Sequence, residues 1–211
     1  MALVKATIAA KARILLNEIT QGFYLDTDIN TWVDDAALDI SVKSYCYHVR
    51  EEITLVAGTQ RYTPSSAVNA LKVISAAYNG VGLTLATHAM QGKQVASVSG
   101  PPKHYFEILD QIGFIPTPGS GDVSVKPEVI FACATIDITN LPLKFQSPAV
   151  FFTVGMGLIK AKNYDKATLM FNIYNSSLGL DRVDVTTPKT EMPPPQNQYV
   201  LKIIPAQNMQ G

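Results

Sequence analysis

DTDINTWVDDAALDISVKSYCYHV, residues 26–49, carries the clearest helical period in the chain, its only tryptophan and its densest acidic cluster. Asp26, Thr27 and Asp28 offer three candidate N-caps and place negative charge at the positive end of a helix. After them Ile29, Trp32, Val33, Ala36, Ala37, Ile40, Ser44 and Tyr47 return at helical spacing, which predicts a helix over about residues 27–48. A second stripe, Leu38, Val42, Tyr45 and Val49, runs beside the first. One apolar face is enough for burial in a single core. The second stripe therefore predicts another contact, with the chain's own β region or with a neighbouring subunit. Asp34, Asp35 and Asp39 fall largely off the inner face. A carboxylate pair or metal site would need partners elsewhere, and the sequence names none, so a solvated face is the plainer reading.

Working outward, 211 residues can bury a sizeable core as one domain, or as one domain with an insertion. Lys+Arg and Asp+Glu both number 17, so the formal net charge is zero. That excludes a broad electrostatic grip on nucleic acid and suits a surface that ends up in an assembly. Cys46 and Cys133 are far apart with apolar neighbours, and read as buried free thiols. The N-terminal run MALVKATIAAKARILL has charges inside it and does not read as a signal peptide. The longest apolar run, residues 149–159, is too short to span a bilayer. A soluble protein with no membrane partner is expected.

Before the opening stretch, residues 4–19 read as an amphipathic helix. Val4, Ile8, Ala12, Leu15, Leu16 and Ile19 line one side, with Lys5, Lys11 and Asn17 facing out. A break at Gln21-Gly22 and a short loop favour an antiparallel helical hairpin.

After the opening stretch the period changes at Glu51. ITLVAGTQRYTP reads as a strand, a turn around Ala57-Gly58-Thr59, and a second strand ending at Pro64. Asn79-Gly80 between alternating runs is a strong hairpin signal, with strands expected at about residues 70–78 and 81–87. KHYFEILDQIGFI reads as two strands with a turn at Asp110-Gln111. EVIFACATI, a continuous apolar run, predicts a strand buried on both faces.

Helical character returns at Pro142. Ser147-Pro148 reads as an N-cap followed by proline at the first helical position. AVFFTVGMGLIKAK, residues 149–162, is apolar nearly all round and belongs in a core or an interface. Each glycine in a helix costs about 1 kcal/mol relative to alanine, so Gly155 and Gly157 predict close packing. A last helix begins near Tyr164, with Ala167, Phe171, Tyr174 and Leu178 on the same face. Beyond Asp184 the composition turns proline-rich and extended. QYVLKII, residues 198–204, is a strand-like segment inside that tail. It either folds back as an edge strand or pairs with another subunit by strand addition.

No catalytic, metal or cofactor site is expected. His48, His88 and His104 are scattered without metal-ligand spacing. No nucleophile elbow or P-loop is present, and Asn79-Gly80-Val81-Gly82 is a hairpin turn rather than a phosphate cradle. Lys72, Lys93 and Lys103 read as solvated surface.

The order of parts carries a resemblance. A helix ending in LLNEIT leads by a short loop into DTDINTWVDDA. A hairpin built around AGTQRYTP follows, then YFEILDQIGFIPTP, then the paired helices of SPAVFFTVGMGLIKAKNYDKATLMFNIYNSSL. Over about residues 5–184 this resembles the head-to-tail adaptor (connector) proteins of tailed bacteriophages. Where such proteins often read W-L-N-x-A, this chain has Trp32-Val33-Asp34-Asp35-Ala36, which keeps the packing and adds charge.

The resemblance implies a non-enzymatic virion protein of the neck, made in the host bacterial cytoplasm. It implies a homo-oligomeric ring, commonly a dodecamer, that docks on the portal protein, presents a surface to a tail or nozzle protein, and lets double-stranded DNA pass during ejection without sequence-specific binding. Another tail, baseplate or tail-completion protein, or a ligand-binding β module on a helical scaffold, is the alternative.

The expected fold class is α+β. An antiparallel helical bundle of two N-terminal and two C-terminal helices carries a central small antiparallel β-sandwich or barrel and an extended C-terminal tail. The expected parts are residues 1–50 (N-terminal helices), 51–140 (β domain), 141–184 (helices completing the helical domain) and 185–211 (arm). Trp32, Leu38, Val42, Tyr45, Phe151, Phe152, Gly155 and Met156 are the candidate core and subunit-interface residues. Tyr199, Val200, Leu201, Ile203 and Ile204 are the candidate partner-binding arm. Asp34, Asp35 and Asp39 are candidates to face the channel.

Overall fold

A computed structural model describes residues 2–18, 20–65, 69–86, 99–108 and 111–179. These residues form an α+β structure with four α-helices and two four-stranded sheets. The helices are α1 (Lys5–Leu15), α2 (Asp26–Ser44), α3 (Gln146–Lys160) and α4 (Tyr164–Leu178). The strands are β1 (His48–Glu52), β2 (Arg61–Tyr62), β3 (Ala70–Tyr78), β4 (Val81–Gly82), β5 (Thr84–Leu85), β6 (His104–Ile108), β7 (Gln111–Ile115) and β8 (Glu128–Cys133).

The helix over the opening stretch is shorter than its period predicts. Tyr45 turns left-handed (φ 50°), its N–H closes on Ser41 O, and α2 stops at Ser44. Cys46 and Tyr47 lead directly into β1, so Val49 belongs to a strand rather than to a helical stripe. At the other end Leu25 is the N-cap, and Asp26, Thr27 and Asp28 fall inside the first turn. Asp28 reaches back to accept from the Leu25 N–H at 3.3 Å. Asp26 instead accepts from Arg13 Nη2 at 2.5 Å. Arg13 is buried in α1 and also donates to Tyr24 O, pinning the loop between the two helices.

The inward face of α1 differs from expectation. Ile8 and Ala12 are fully buried, but Val4 and Leu15 are exposed. The cause lies on α3: a Cβ on Gly157 would stand 2.8 Å from Leu16 Cδ1. Leu16 fills that gap, and its neighbour Leu15 is left exposed.

α3 starts at Gln146, two residues earlier than Ser147-Pro148 predicts. Pro148 thus sits in the first turn, where its missing N–H breaks no helical bond. Asn163 caps α4 by accepting from the Lys166 N–H, and Gly179 (φ 75°) ends it.

The first sheet runs β1-β8-β3-β4, antiparallel throughout. The second runs β2-β7-β6-β5, with β5 parallel to β6. Asn79 (φ 50°) and Gly80 (φ 76°) both take the left-handed conformation that a two-residue hairpin requires. The strand expected over 81–87 divides within its first residues: β4 pairs with β3, and β5 crosses to the other sheet.

Two large apolar clusters, and a small third one of Ala86, Phe106 and Ile115, hold these elements. Ile8, Val33, Ile40, Ala149, Val154 and Tyr174 bring all four helices together. Val73, Val129 and Phe131 of the first sheet meet Tyr105, Ile112 and Phe114 of the second. Tyr47, between α2 and β1, packs on both clusters. β8 lies inside its sheet, and Ala132 on its other face is also fully buried.

Candidate assembly surfaces

The inner side of α2 is spent on the helical core, where Ile29, Val33, Ala36, Ala37 and Ile40 have almost no exposure. Its outer side is apolar too. Leu38 and Val42 are each 40% exposed and Tyr45 is 44% exposed. A monomer rarely leaves so many large apolar side chains together in water without a use. The stripe continues off the helix: Leu38, Leu71 of β3 and Ile136, after β8, line one hollow of about 480 Å³. Leu71 and Ile136 are themselves exposed.

The acidic trio divides. Asp34 accepts from Lys5 of α1 at 2.7 Å. Asp39 pairs with Lys43 at 2.7 Å and accepts from the hydroxyl of Tyr174 on α4. Asp35 is exposed and makes no ion pair or hydrogen bond among the described residues. Burial, and then the hydrogen bond to Asp39, hold the Tyr174 phenol in its neutral form well above the ordinary tyrosine range. Two of the three carboxylates are therefore bound into the subunit, tying α2 to α1 and α4. Only Asp35 of the trio stands free on the outer side.

Of the remaining α2 and α3 candidates, Trp32 is half-buried, with its ring edge-on to Tyr24 at 6.3 Å. Phe152 packs edge-on against Phe171 at 5.6 Å and Tyr174 at 5.3 Å. A Cβ on Gly155 would stand 2.9 Å from the Phe171 ring. Phe152 and Gly155 therefore face α4 of their own chain. Met156 is half-buried. Phe151 looks the other way, into a groove of about 280 Å³ between α1 and α3 that Lys11, Ile14, Leu15 and Val150 also line. The α1 period places Leu15 inside and leaves Ile14 unassigned, so it does not reveal this groove. The signal that could have found it is the unbroken Ile14-Leu15-Leu16 run, too wide for one buried face.

The polar candidates stay dispersed. His48 Nε2 lies 2.9 Å from Tyr45 O, and His104 Nδ1 lies 2.5 Å from the Thr84 hydroxyl. His88 and Lys93 lie outside the described residues, whereas Lys72 and Lys103 are exposed. Among the described residues no group of three His, Cys, Asp or Glu side chains is placed to hold a metal ion. Cys133 is buried, which pushes its thiol up, and Cys46 is half-buried; both are free. No helix among the described residues is long and apolar enough to cross a membrane. The candidate arm, Tyr199, Val200, Leu201, Ile203 and Ile204, lies outside the described residues.

A family model described as SU10 adaptor protein matches residues 5–193. That span takes in every helix and strand above. No curated protein matches the chain.

Proposed function

The chain belongs to the SU10 adaptor family, bacteriophage structural proteins, and on that premise we propose that it is the head-to-tail adaptor of a tailed phage. Identical copies form a ring, commonly of twelve, beneath the portal of the filled head. The ring offers its far side to the tail or nozzle protein, and double-stranded DNA passes through its centre. The four helices act as an antiparallel bundle and the two sheets as a small sandwich carried on it, with the C-terminal segment as an arm that reaches a neighbouring protein.

The observation that carries this reading is the family match across almost the whole folded chain. The physical chemistry agrees with it. A zero net charge and a scatter of single lysines give DNA little to hold, and a duplex that must slide is braked by every phosphate contact. The outer side of α2 offers apolar surface of the kind a subunit contact buries.

Cryo-electron microscopy of the virion neck tests the reading. The expected image is a ring of subunit-sized density between portal and tail into which this chain fits. Its absence from purified particles, judged by mass spectrometry, would remove the adaptor reading altogether.

A further inference from the structure

A closed ring of identical subunits is built from head-to-tail contacts, which need two different surfaces on one chain that fit each other. Resting on the adaptor reading, we infer that these are the outer ridge of α2 and the α1–α3 groove, so that the α2 ridge of one copy seats in the groove of the next.

The two surfaces match in shape. The ridge is a helical row, Leu38 and Val42 at i and i+4, standing out from the subunit. The groove is a hollow of about 280 Å³ between two helices, floored by Val150 and half-buried Phe151 and walled by Ile14 and Leu15. Ile14 is 64% and Leu15 55% exposed, so both walls stand open. An apolar helix face laid between two helices is a recurring mode of recognition.

They also match in charge. Asp35 sits three residues before Leu38 on the outer side of α2 and has no partner among the described residues. Lys11 sits three residues before Ile14 at the rim of the groove. It donates only to the neutral amide of Gln146, at 3.1 Å, and has no carboxylate partner among the described residues. Asp35 at the edge of the ridge and Lys11 at the rim of the groove are opposite charges that the same contact brings together. One contact thus buries both apolar surfaces and pairs both charges.

They lie on different sides of the subunit. Lys5 of α1 reaches Asp34 on α2, whereas Lys11 of the same helix reaches Gln146 on α3. The ridge therefore cannot reach its own groove, and pairing must be between copies.

Charge reversal tests this with a built-in control. The full-length chain and the variants D35K, K11E and D35K/K11E are compared by sedimentation and mass photometry over a range of concentration. Either single reversal sets like charges face to face at every contact and is expected to weaken assembly by about tenfold per contact. The double variant restores it. Mixing the two single variants also restores it. The lysine introduced on the ridge of D35K then meets the glutamate introduced at the groove of K11E, and the unchanged Asp35 of K11E meets the unchanged Lys11 of D35K. A misfolded variant could not be rescued by mixing.

Singles that assemble like the parent, or a mixture that fails to recover, would overturn the pairing, as would a parent chain that stays monomeric. If the groove is instead filled by residues 198–204 of the same chain, deleting them raises assembly, which also overturns it. None of these outcomes touches the adaptor reading, which stands or falls on the presence of the chain in the virion neck.

Discussion

Ser41 on α2 and Thr135, just beyond β8, are 94 residues apart in sequence and bonded in space. The Thr135 N–H donates to Ser41 Oγ at 3.0 Å, and Ser41 Oγ lies 2.9 Å from Leu38 O. Both residues are buried, and Thr135 in turn holds the Asp137 N–H through its hydroxyl. This joint couples the helical core to the segment that leaves the first sheet, beneath the hollow that Leu38 and Ile136 line. Ser41→Ala leaves the Thr135 N–H buried without an acceptor, for which the usual loss is about 1–3 kcal/mol. A urea denaturation midpoint equal to that of the parent chain would show that the joint contributes nothing.

The two glycines of α3 are expected to respond differently to alanine. Alanine gains about 1 kcal/mol of helix propensity at either position. At Gly155 the new methyl meets the Phe171 ring, itself locked against Phe152, and overpacking of this kind costs about 1–3 kcal/mol. Gly155→Ala should therefore be neutral to destabilising, and Phe171→Leu in the same chain should recover the loss. At Gly157 the methyl meets the end of the Leu16 side chain, which can rotate away, so Gly157→Ala should hold or raise the melting temperature. The reverse order of the two melting temperatures would refute this account.

Alkaline pH should unfold the protein. Tyr24, Tyr62, Tyr78, Tyr105 and Tyr174 all have phenols raised above the ordinary value by burial first, Tyr174 the furthest. The sign follows from linkage. A raised folded-state pKa gives stability that is complete below the unfolded value, about 10 for tyrosine, and is lost as pH rises above it. Stability should thus be flat to about pH 9 and then fall as pH rises through the tyrosine range. Tyr174→Phe should lower stability at neutral pH by about 1–3 kcal/mol, through the hydrogen bond lost to Asp39, and make the alkaline fall shallower. Melting curves against pH, with tyrosinate absorbance in parallel, check both. An unchanged slope in Y174F is the contrary result.

Leu38 and Val42 should be separable from the fold. Their side chains are exposed, so Leu38→Lys with Val42→Lys is expected to shift stability by no more than about 0.5 kcal/mol per site. The same change should abolish self-association under conditions where the parent chain assembles. A double lysine variant that still forms the full-sized assembly would take the outer side of α2 out of the ring contact.

Residues 185–211 should be dispensable for folding and required for docking. The two large apolar clusters are built by residues between Leu3 and Leu178. Removing the tail is expected to leave the melting temperature unchanged within about 2 °C. The same truncation should abolish capture by the portal protein in a pull-down. Portal capture that survives it would end the arm proposal.

The outline of the fold was legible in the residues. Asn79-Gly80 named its hairpin because both positions need a positive φ that few residue pairs supply. The α2 period named its buried face because Ile29, Val33, Ala36 and Ile40 return on one side. The all-apolar α3 was legible as a buried element, and its glycines as points of close approach. Element ends were less legible. Nothing local stops α2 before Tyr45, since the apolar period runs on through Tyr47; the chain stops there because β1 begins at His48 in register with β8. The sequence named three aspartates as candidates to face the channel, and no local pattern showed that Lys5 and Tyr174 come from other helices to pair with two of them. The α1–α3 groove was hidden because periodicity assigns each residue to inside or outside, while a seam between helices is neither.

By itself the sequence determined which segments are helix and which are strand, and which faces are apolar. Those are matters of periodicity, turn stereochemistry and composition, and they act over a few residues at a time. Tertiary structure alone decided which apolar faces remain open. Leu38 and Leu15 both carry a helical apolar pattern, and only the packing of Ile40 and Leu16 beside them leaves those two side chains in water. It alone decided, too, that Asp34 and Asp39 are bound within the subunit while Asp35, on the outer side of α2 between them, has no ion pair among the described residues. Burial and ion pairing depend on neighbours brought from far along the chain, and no local pattern around Asp26 to Val49 encodes where those neighbours will stand.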